Sequence, residues 1–399
     1  MRPLRIYLDS SDYSVLSDPR RESPTLTDIK VRLQTWVNEG AIECYFSGIH
    51  LSEMAPLDAK YADAAERRAD LLVSLCGRRA LISAERLFAF ELEQAIAGQP
   101  KATSAYSSLG EWYPEGATDI LPIDALEQLK YFREAIRDVA PNRKARRLAE
   151  RKAVRHGRLR STAQSMIHQT SQQADLSEIL DRYPMRPEDA RVISRFVVGQ
   201  ASAADASAAF AESLRDPRWM MRWFALHHDK FTPFIEWTRK PAESMLACVA
   251  AISEQAERLR EFDASYGTNL SGDLLDRQKW LSAQNELVQR IATRMAQALL
   301  DVEQQVPSHL IDAFCPGLSV AVRSLHSSWY LSTTETPRSA KKSDFADALH
   351  AVYAPYVDFF RADTGMAPSI MEHAAKYSCT VVSKLVDLPS LIQSRIGAQ

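Results

Sequence analysis

Acidic side chains follow short apolar runs near both ends of this chain of 399 residues. The run 4–8 ends at Asp9, and the run 357–360 is followed by Asp363. In a parallel sheet the carboxyl ends of the strands meet at one edge, and ligands bind in the crevice outside that edge. Carboxylate oxygens are also the ligands that hard divalent cations prefer. The pattern therefore predicts a divalent-metal site, and it suggests metal-dependent cleavage of phosphodiester bonds.

Two further acids, Asp344 and Asp347, precede the second run on a predicted helix that spans 343–354. They are three residues apart and lie opposite Phe345 and Leu349, so they are neighbours on one helix face. Adjacent carboxylates destabilise each other unless a cation is present or one of them is protonated. The other interpretation is that both acids cap the first turn on a solvated face, where the helix dipole offsets part of their charge. These two residues alone leave both interpretations open.

The elements that must position these acids can be predicted from the spacing of apolar residues. A strand at 4–9, a helix, a strand at 42–46 and a further helix follow one another, which is typical of a parallel sheet covered by helices on both faces. The sheet pattern resumes after Pro337 with strands at 357–360 and 379–382. This topology brings four acids to the same edge of the sheet: Asp9, Glu53, Asp347 and Asp363.

The middle of the chain has a different pattern. Long runs with 3.6-residue periodicity alternate there with loops marked by proline, and clusters of β-branched residues are few. We therefore expect an α/β fold in three segments. Residues 1–95 form the first part of a parallel-sheet core, 96–336 form a large all-α insertion, and 337–399 form the second part of the core.

Three short segments of the chain together resemble the PIN-domain family of metal-dependent nucleases. They are residues 6–11, residues 46–53, and residues 347–351 leading to 359–363. The resemblance implies a PIN-like parallel sheet flanked by helices that holds one or two Mg²⁺ or Mn²⁺ ions. It also implies that Asp9, Glu53, Asp347 and Asp363 are the catalytic acids and metal ligands, with Asp344 as a fifth ligand. The insertion departs from the compact core of the family, which leaves the substrate and its regulation open.

The function that this resemblance implies is hydrolysis of phosphodiester bonds by a metal-dependent nuclease. The family favours RNA over single-stranded DNA as the substrate, and it includes toxins and host-defence nucleases. One alternative is a non-catalytic binding or assembly module that uses the helical insertion as an interface for a protein partner or a second copy of the chain. Another is hydrolysis of phosphate monoesters at the same metal site. Retention of all four acids argues against an inactive scaffold.

A basic segment in the insertion suggests a contact with nucleic acid. Although the formal net charge of the chain is −2, residues 143–160 contain nine Lys or Arg residues and one acid, Glu150. On a helix, four arginines spaced by four residues form a stripe that can follow a phosphate backbone: Arg143, Arg147, Arg151 and Arg155. A solvated helix face is the alternative, although such faces normally mix both signs of charge.

Composition limits the remaining function classes. No run approaches ~18 consecutive apolar residues, so no membrane span is expected. Asp9 comes too early for the apolar core of a signal peptide, and the five cysteines include no C-x-x-C pair. These features argue against export, a disulfide framework and a structural zinc, and they favour a cytoplasmic protein. Among the histidines, His50 is interpreted as a helix-surface residue rather than a metal ligand.

Overall fold

The computed structural model divides into two compact units. The first unit contains Met1–Pro114 and His228–Gln399, and the second contains Glu115–His227. The structure describes residues 2–100, 104–119, 137, 142–155, 158–159, 180, 183–197, 200–227, 232–334, 338–341 and 343–398.

Eight strands occur in the described part of the chain. They are β1 (Leu4–Tyr7), β2 (Ile42–Tyr45), β3 (Ala80–Leu81), β4 (Tyr106–Ser107), β5 (Val154–Arg155), β6 (Arg158–Leu159), β7 (Phe359–Arg361) and β8 (Thr380–Val382). Four of them form a parallel sheet in the order β2-β1-β7-β8, in which Ile6 of β1 lies opposite Cys44 on one side and Phe359 on the other. The chain therefore leaves β1 in one direction to form β2 and returns much later on the other side, which makes the gap between β1 and β7 the switch point of the sheet.

Helices make up most of the described chain. They are α1 (Ser10–Ser17), α2 (Pro24–Asn38), α3 (Gly48–Met54), α4 (Ala62–Cys76), α5 (Ala84–Ala97), α6 (Arg143–Ala153), α7 (Pro187–Val197), α8 (Ala203–Leu214), α9 (Pro217–Leu226), α10 (Thr232–Tyr266), α11 (Leu270–Leu274), α12 (Arg277–Leu300), α13 (Ser308–Phe314), α14 (Pro316–Leu331), α15 (Ser343–Ala351), α16 (Ala367–Ala374) and α17 (Leu388–Gly397). None of the helices described is long and apolar enough to cross a membrane.

The turns that follow β1 and β2 are fixed by side chains. Asp9 follows β1 and caps α1, because its carboxylate accepts a 2.7 Å hydrogen bond from the backbone N–H of Ser11. Ser47 caps α3, and the backbone N–H of Ser47 donates to the ring of His50. Such caps satisfy N–H groups that have no partner within the helix. The two turns therefore hold the first turns of α1 and α3 at the carboxyl edge of the sheet.

The core of the first unit lies between β1, β7 and the helices of the carboxyl-terminal segment. Tyr7 is fully buried and stacks on Phe360 of the neighbouring strand, with ring centroids 5.2 Å apart. The helix α14 packs against α15 and α16, and α12 packs against α5 and α14. Buried aromatic rings of this size contribute strongly to the stability of a core. The positions of β1, β7 and α15 relative to one another are therefore fixed by packing.

The predicted mixed α/β fold with a parallel sheet flanked by helices is confirmed, and the inner structure of the middle segment differs from the expectation. The insertion 96–336 is not all-α, because β4 pairs with β3, and β5 pairs with β6 in a short antiparallel ribbon. The two compact units divide the chain elsewhere than at 95 and 336, since α10 to α14 pack with the first unit. The 3.6-residue periodicity also predicts a helix at 124–139, of which only residue 137 is among the described residues.

Candidate functional site

Four predicted catalytic acids line a single cavity of about 290 Å³ at the carboxyl edge of the sheet. Asp9 follows β1, Glu53 lies on α3, Asp347 lies on α15, and Asp363 follows β7. Four separate elements therefore supply one acid each, and the cavity lies at the switch point of the sheet. Ser10 and Ser11, which follow Asp9, also line this cavity.

Asp347 has the most unusual surroundings of the four acids. Its residue is 8% exposed, and its Oδ2 atom has no hydrogen-bond partner. Burial raises the pKa of Asp347 to about 8, and the negative charges of Asp9, Glu53 and Asp363 act in the same direction. Near neutral pH this carboxyl group therefore keeps a proton unless a cation replaces it.

Asp344 differs from Asp347 although the two acids share one helix. Arg338 donates one 2.7 Å hydrogen bond to each oxygen of the Asp344 carboxylate, and the backbone N–H of Lys341 adds a third. Asp344 is therefore held in a bidentate ion pair, and it does not line the acid cavity. Both acids are at least nine-tenths buried, so the interpretation that they cap α15 on a solvated face is wrong.

A chain of buried hydrogen bonds leads from the sheet to Glu53. The hydroxyl of Tyr7 lies 2.7 Å from Oγ of Ser47 and 2.6 Å from Nδ1 of His350. The other ring nitrogen of His350, Nε2, lies 2.8 Å from a carboxylate oxygen of Glu53. Because a carboxylate only accepts, Nε2 carries the hydrogen of that bond. The orientation of Glu53 is therefore fixed by a side chain that is itself fixed by Tyr7.

His350 and Glu53 also stabilise each other's charge. Burial alone would raise the pKa of Glu53, but the charge and the hydrogen bond of His350 lower it to about 2. Burial likewise acts to lower the pKa of His350, and Glu53 outweighs it so that the net shift is upward. Glu53 is therefore ionised at the pH at which Asp347 is protonated.

His50 is not on the helix surface, contrary to the expectation from the sequence. It is completely buried, and its Nε2 atom lies 2.8 Å from the carbonyl oxygen of Leu8. Burial first, and then the neighbouring charge of His350, lower the pKa of His50 to about 3, so the ring is neutral at neutral pH. The backbone N–H of Ser47 donates to Nδ1, which leaves the proton on Nε2 to bond Leu8. His50 thus joins α3 to the end of β1.

A buried ion pair supports the turn that carries Asp9. The guanidinium of Arg361 on β7 contacts both carboxylate oxygens of Asp12 at 3.0–3.1 Å, and Asp12 accepts a 3.0 Å hydrogen bond from the backbone N–H of Asp9. Burial raises the pKa of Asp12 to about 6 in spite of the charge of Arg361. A carboxylate at N3 of a helix that bonds the capping residue is the second half of a capping box. The strand that precedes Asp363 therefore also positions Asp9.

The donor chemistry of the acid cavity suits a hard divalent cation, because all four acids offer carboxylate oxygens and one buried oxygen has no partner. Within the described residues, however, no group of three or more His, Cys, Asp or Glu side chains is close enough to hold a metal ion. Binding an ion would therefore require these side chains to move towards one another.

Sequence reasoning did not identify several residues of this site. His350 lies three residues after Asp347 on the same helix, which places both on one face, and this spacing could have revealed it. Arg361 is a charged residue within an apolar strand, which is also an unusual and visible signal. Arg338 carries no such signal, since its role depends on a carboxylate that the fold brings to it.

The predicted nucleic-acid-binding arginines lie in the second unit. Arg143 and Arg147 are exposed on α6. Arg151 also lies on α6, whereas the helix ends at Ala153 and Arg155 lies in β5. The stripe of four arginines on one helix is therefore wrong for its last member, because the backbone leaves the helix before it.

Comparisons with known proteins do not assign this chain to a family. No protein-family model matches the chain. Neither a curated protein nor a solved structure matches it.

Proposed function

We propose that this chain is a divalent-metal-dependent nuclease that hydrolyses phosphodiester bonds of RNA through a PIN-like core. The observation that supports this most is the meeting of Asp9, Glu53, Asp347 and Asp363, from four separate elements, around one cavity at the switch point of the sheet. Acids that served only to cap helices or to form ion pairs with basic side chains would not be expected to converge there. Asp347 in particular has an oxygen without a partner in the surroundings of three other acids.

The four acids would hold one or two Mg²⁺ or Mn²⁺ ions. When bound, such ions supply Lewis acidity and lower the pKa of a coordinated water. Asp347 would bind the cation as the deprotonated carboxylate, and the bond to His350 would keep Glu53 in its orientation. Ser11 also lines the cavity, and its hydroxyl group would be a donor for an oxygen of a bound phosphate.

The activity is tested with purified protein and end-labelled RNA and single-stranded DNA in the presence of Mg²⁺, of Mn²⁺, or of a chelator. Cleavage should require a divalent ion. Asp347→Asn and Asp9→Asn should each lower the rate by about 100-fold or more, since metal contacts contribute several kcal/mol to transition-state stabilisation. Asp387→Asn makes the same chemical change at an exposed residue that does not line the cavity, and it should cleave at the normal rate.

Three results would contradict the proposal. Full activity of either cavity variant would remove the acids from the reaction. Cleavage of phosphate monoesters without any cleavage of RNA or DNA would support the metal site but show that the substrate is not a phosphodiester. A wild-type protein that cleaves neither substrate would favour the binding or assembly module, and calorimetric titration with Mn²⁺ would then show whether the acids bind metal at all.

The basic helix α6 is proposed to add nucleic-acid affinity in the second unit, because Arg143 and Arg147 are exposed there. Replacing Arg143, Arg147, Arg151 and Arg155 by glutamine should weaken RNA binding. It should also flatten the log–log dependence of affinity on salt by roughly 0.7 for each lost phosphate contact. Unchanged affinity and slope would return α6 to the solvated-face interpretation.

A further inference from the structure

A larger cavity of about 690 Å³ adjoins the acid cavity in the first unit. The two cavities share the wall residues Ser14, Glu53, Arg68 and Ser343. The helix α10 also contributes to the wall of the larger cavity through Ala242 and Glu243. Because the two cavities have walls in common, a chain-like ligand that occupies one of them is able to reach the other.

Four arginines line the larger cavity: Arg20, Arg21, Arg67 and Arg68. We call this cavity the arginine groove. Arg20 makes hydrogen bonds of 3.1 and 3.2 Å to Asp18, and Arg21 lies 3.9 Å from the same carboxylate. These two guanidinium groups therefore share one negative charge at the exposed end of the groove.

Arg67 and Arg68 have no carboxylate partner among the residues that the structure describes. The Nε atom of Arg67 is buried and makes no hydrogen bond. The hydrogen bonds of Arg68 go to backbone carbonyls, from Nε to Ala64 and from a terminal nitrogen to Met54, each 3.1 Å long. Burial first, and then the charge of Arg67, lower the pKa of Arg68. Two guanidinium groups without a carboxylate ion pair thus lie side by side, and an anion between them would relieve their repulsion.

An aromatic residue lies in the same groove. Tyr61 is 49% exposed, and the ammonium group of Lys60 lies 5.0 Å from its ring centroid. Exposed aromatic rings beside positive charge are the usual means of binding single-stranded nucleic acid, because bases stack on the ring while cations contact the phosphates. The groove therefore offers contacts for both parts of a nucleotide.

We propose that the arginine groove binds the backbone of one nucleic-acid strand and leads its scissile phosphate into the acid cavity. In this arrangement Arg67 and Arg68 contact the phosphates next to the site of cleavage, and Tyr61 stacks on a base. Arginine suits this role because its planar guanidinium bonds two phosphate oxygens at once. A cavity of this size falls within the range of small-ligand sites, so it admits a few nucleotides of one splayed strand rather than a duplex. The proposal rests on the proposed function, since it assumes that the acid cavity acts on phosphodiesters.

The test measures binding separately from cleavage. The Asp9→Asn protein is titrated with a short fluorescent single-stranded RNA in the presence of a chelator, and anisotropy is recorded at several salt concentrations. Changing both Arg67 and Arg68 to glutamine in this protein should weaken binding by about tenfold or more and flatten the salt slope by roughly 1.4, or about 0.7 for each contact. Arg32→Gln is the matched control, because Arg32 is half exposed, pairs with Asp28 and does not line the groove.

Each variant is first checked for folding by thermal unfolding, because Arg68 also bonds the backbone near α3. Should the double variant unfold, Arg67→Gln alone is expected to give half of the change in slope. Arg67→Lys keeps the charge and should restore most of the slope.

Three outcomes would contradict the proposal that the arginine groove binds a nucleic-acid strand. The first is unchanged affinity and slope in the folded arginine variants. The second is competition by inorganic phosphate or a mononucleotide as strong as that by the oligonucleotide, which would make the groove a small-anion site. The third is loss of binding to a partner protein without any change in RNA binding. If the arginine variants lose RNA affinity but the wild-type protein cleaves nothing with Mg²⁺ or Mn²⁺, the groove stands and the nuclease proposal fails.

Discussion

Two clusters of charged side chains in the first unit place an aspartate in opposite electrostatic surroundings. In the acid cavity, Asp347 faces other acids and one of its oxygens has no partner. In the second cluster, which we call the Asp312 network, the carboxylate of Asp312 is bonded by Arg323 at 3.0 and 3.2 Å and by Lys376 at 2.8 Å. The same kind of side chain is thus surrounded by negative charge in one place and by positive charge in the other.

The pKa values of the two acids follow this difference. Although burial acts to raise the pKa of Asp312, hydrogen bonds from Lys376 and Ser319 and the charge of Arg323 lower it below its usual value. The pKa of Asp347 is raised to about 8. Side chains that satisfy one another stabilise a fold, whereas side chains that repel one another need an outside partner. The Asp312 network is therefore structural, and the acid cavity is prepared for a cation.

The comparison predicts its largest effect on stability in the Asp312 network. Arg323 also donates to Ser319, Gln284 and Asn285, so Arg323→Met would take a donor from four polar groups. The free energy of unfolding in urea should fall by about 3 kcal/mol, at the lower end for a buried pair because Asp312 is partly exposed. Arg258→Met is the control, since Arg258 pairs with Glu254 in solvent, and such pairs contribute less than about 1 kcal/mol. Equal losses in the two variants would contradict the structural role.

A smaller effect is expected at His350, which does not line the acid cavity but orients Glu53 within it. His350→Phe removes the hydrogen bond that orients Glu53, and loss of such a supporting bond typically costs about 10–100-fold in metal affinity or activity. Calorimetry with Mn²⁺ and the cleavage rate should both show the loss, and His350→Gln, which keeps a donor, should recover part of it. His373 is another buried histidine, bonded to Ser327 outside the cavity, and His373→Gln should leave the affinity for Mn²⁺ unchanged.

The smallest expected effect is a gain in stability. The pKa of Asp347 is higher in the folded protein, about 8, than its usual value near 3.8. Its contribution to stability is therefore complete below about pH 4 and is lost as the pH rises to 8. Without divalent ions, Asp347→Asn should be more stable than the wild type at pH 8, because a neutral amide is not repelled by the neighbouring carboxylates.

The measurement for this last prediction is the difference in melting temperature between variant and wild type at pH 5 and pH 8. The difference between variant and wild type cancels the effects of Glu91 and Asp12 on the pH dependence of stability, since burial raises the pKa values of these acids in both proteins. Adding Mn²⁺ at pH 8 should reverse the order by stabilising only the wild type. A variant that is less stable than the wild type without metal would show that Asp347 is not repelled by its neighbours.

The sequence was sufficient to predict the elements around the acid cavity, because each one depends on local signals. β1 and β2 are short apolar runs, and the acids lie directly after strands or on the helices next to them, so their convergence follows from the parallel sheet alone. The pairs of residues that distinguish these acids from one another could not be predicted in this way. Asp344 and Asp347 look equivalent in the sequence, and only the folded chain brings Arg338 to the first and Asp9 to the second.

The burial of His50 shows the same limit. Its position on α3 is compatible with either a surface or a buried side chain, and the choice depends on where α3 packs. The ring of His50 bonds Leu8, which directly follows β1, so a tertiary contact between α3 and this turn determines that the side chain is buried. The limits of the two compact units could not be predicted from the sequence either, since the periodicity of α12 and α14 does not reveal which helices they pack against.

The order of the strands has a consequence for synthesis of the chain. β1 lies in the middle of the sheet, but its neighbour β7 is synthesised long after it, and 343 residues separate Tyr7 from His350. Pairings over such a distance in sequence form slowly. Until then the growing polypeptide carries Asp9 and Glu53 but lacks Asp347, His350 and Asp363. The acid cavity is therefore assembled after elongation has passed its final strands, and a chain truncated on the ribosome before them lacks half of the site.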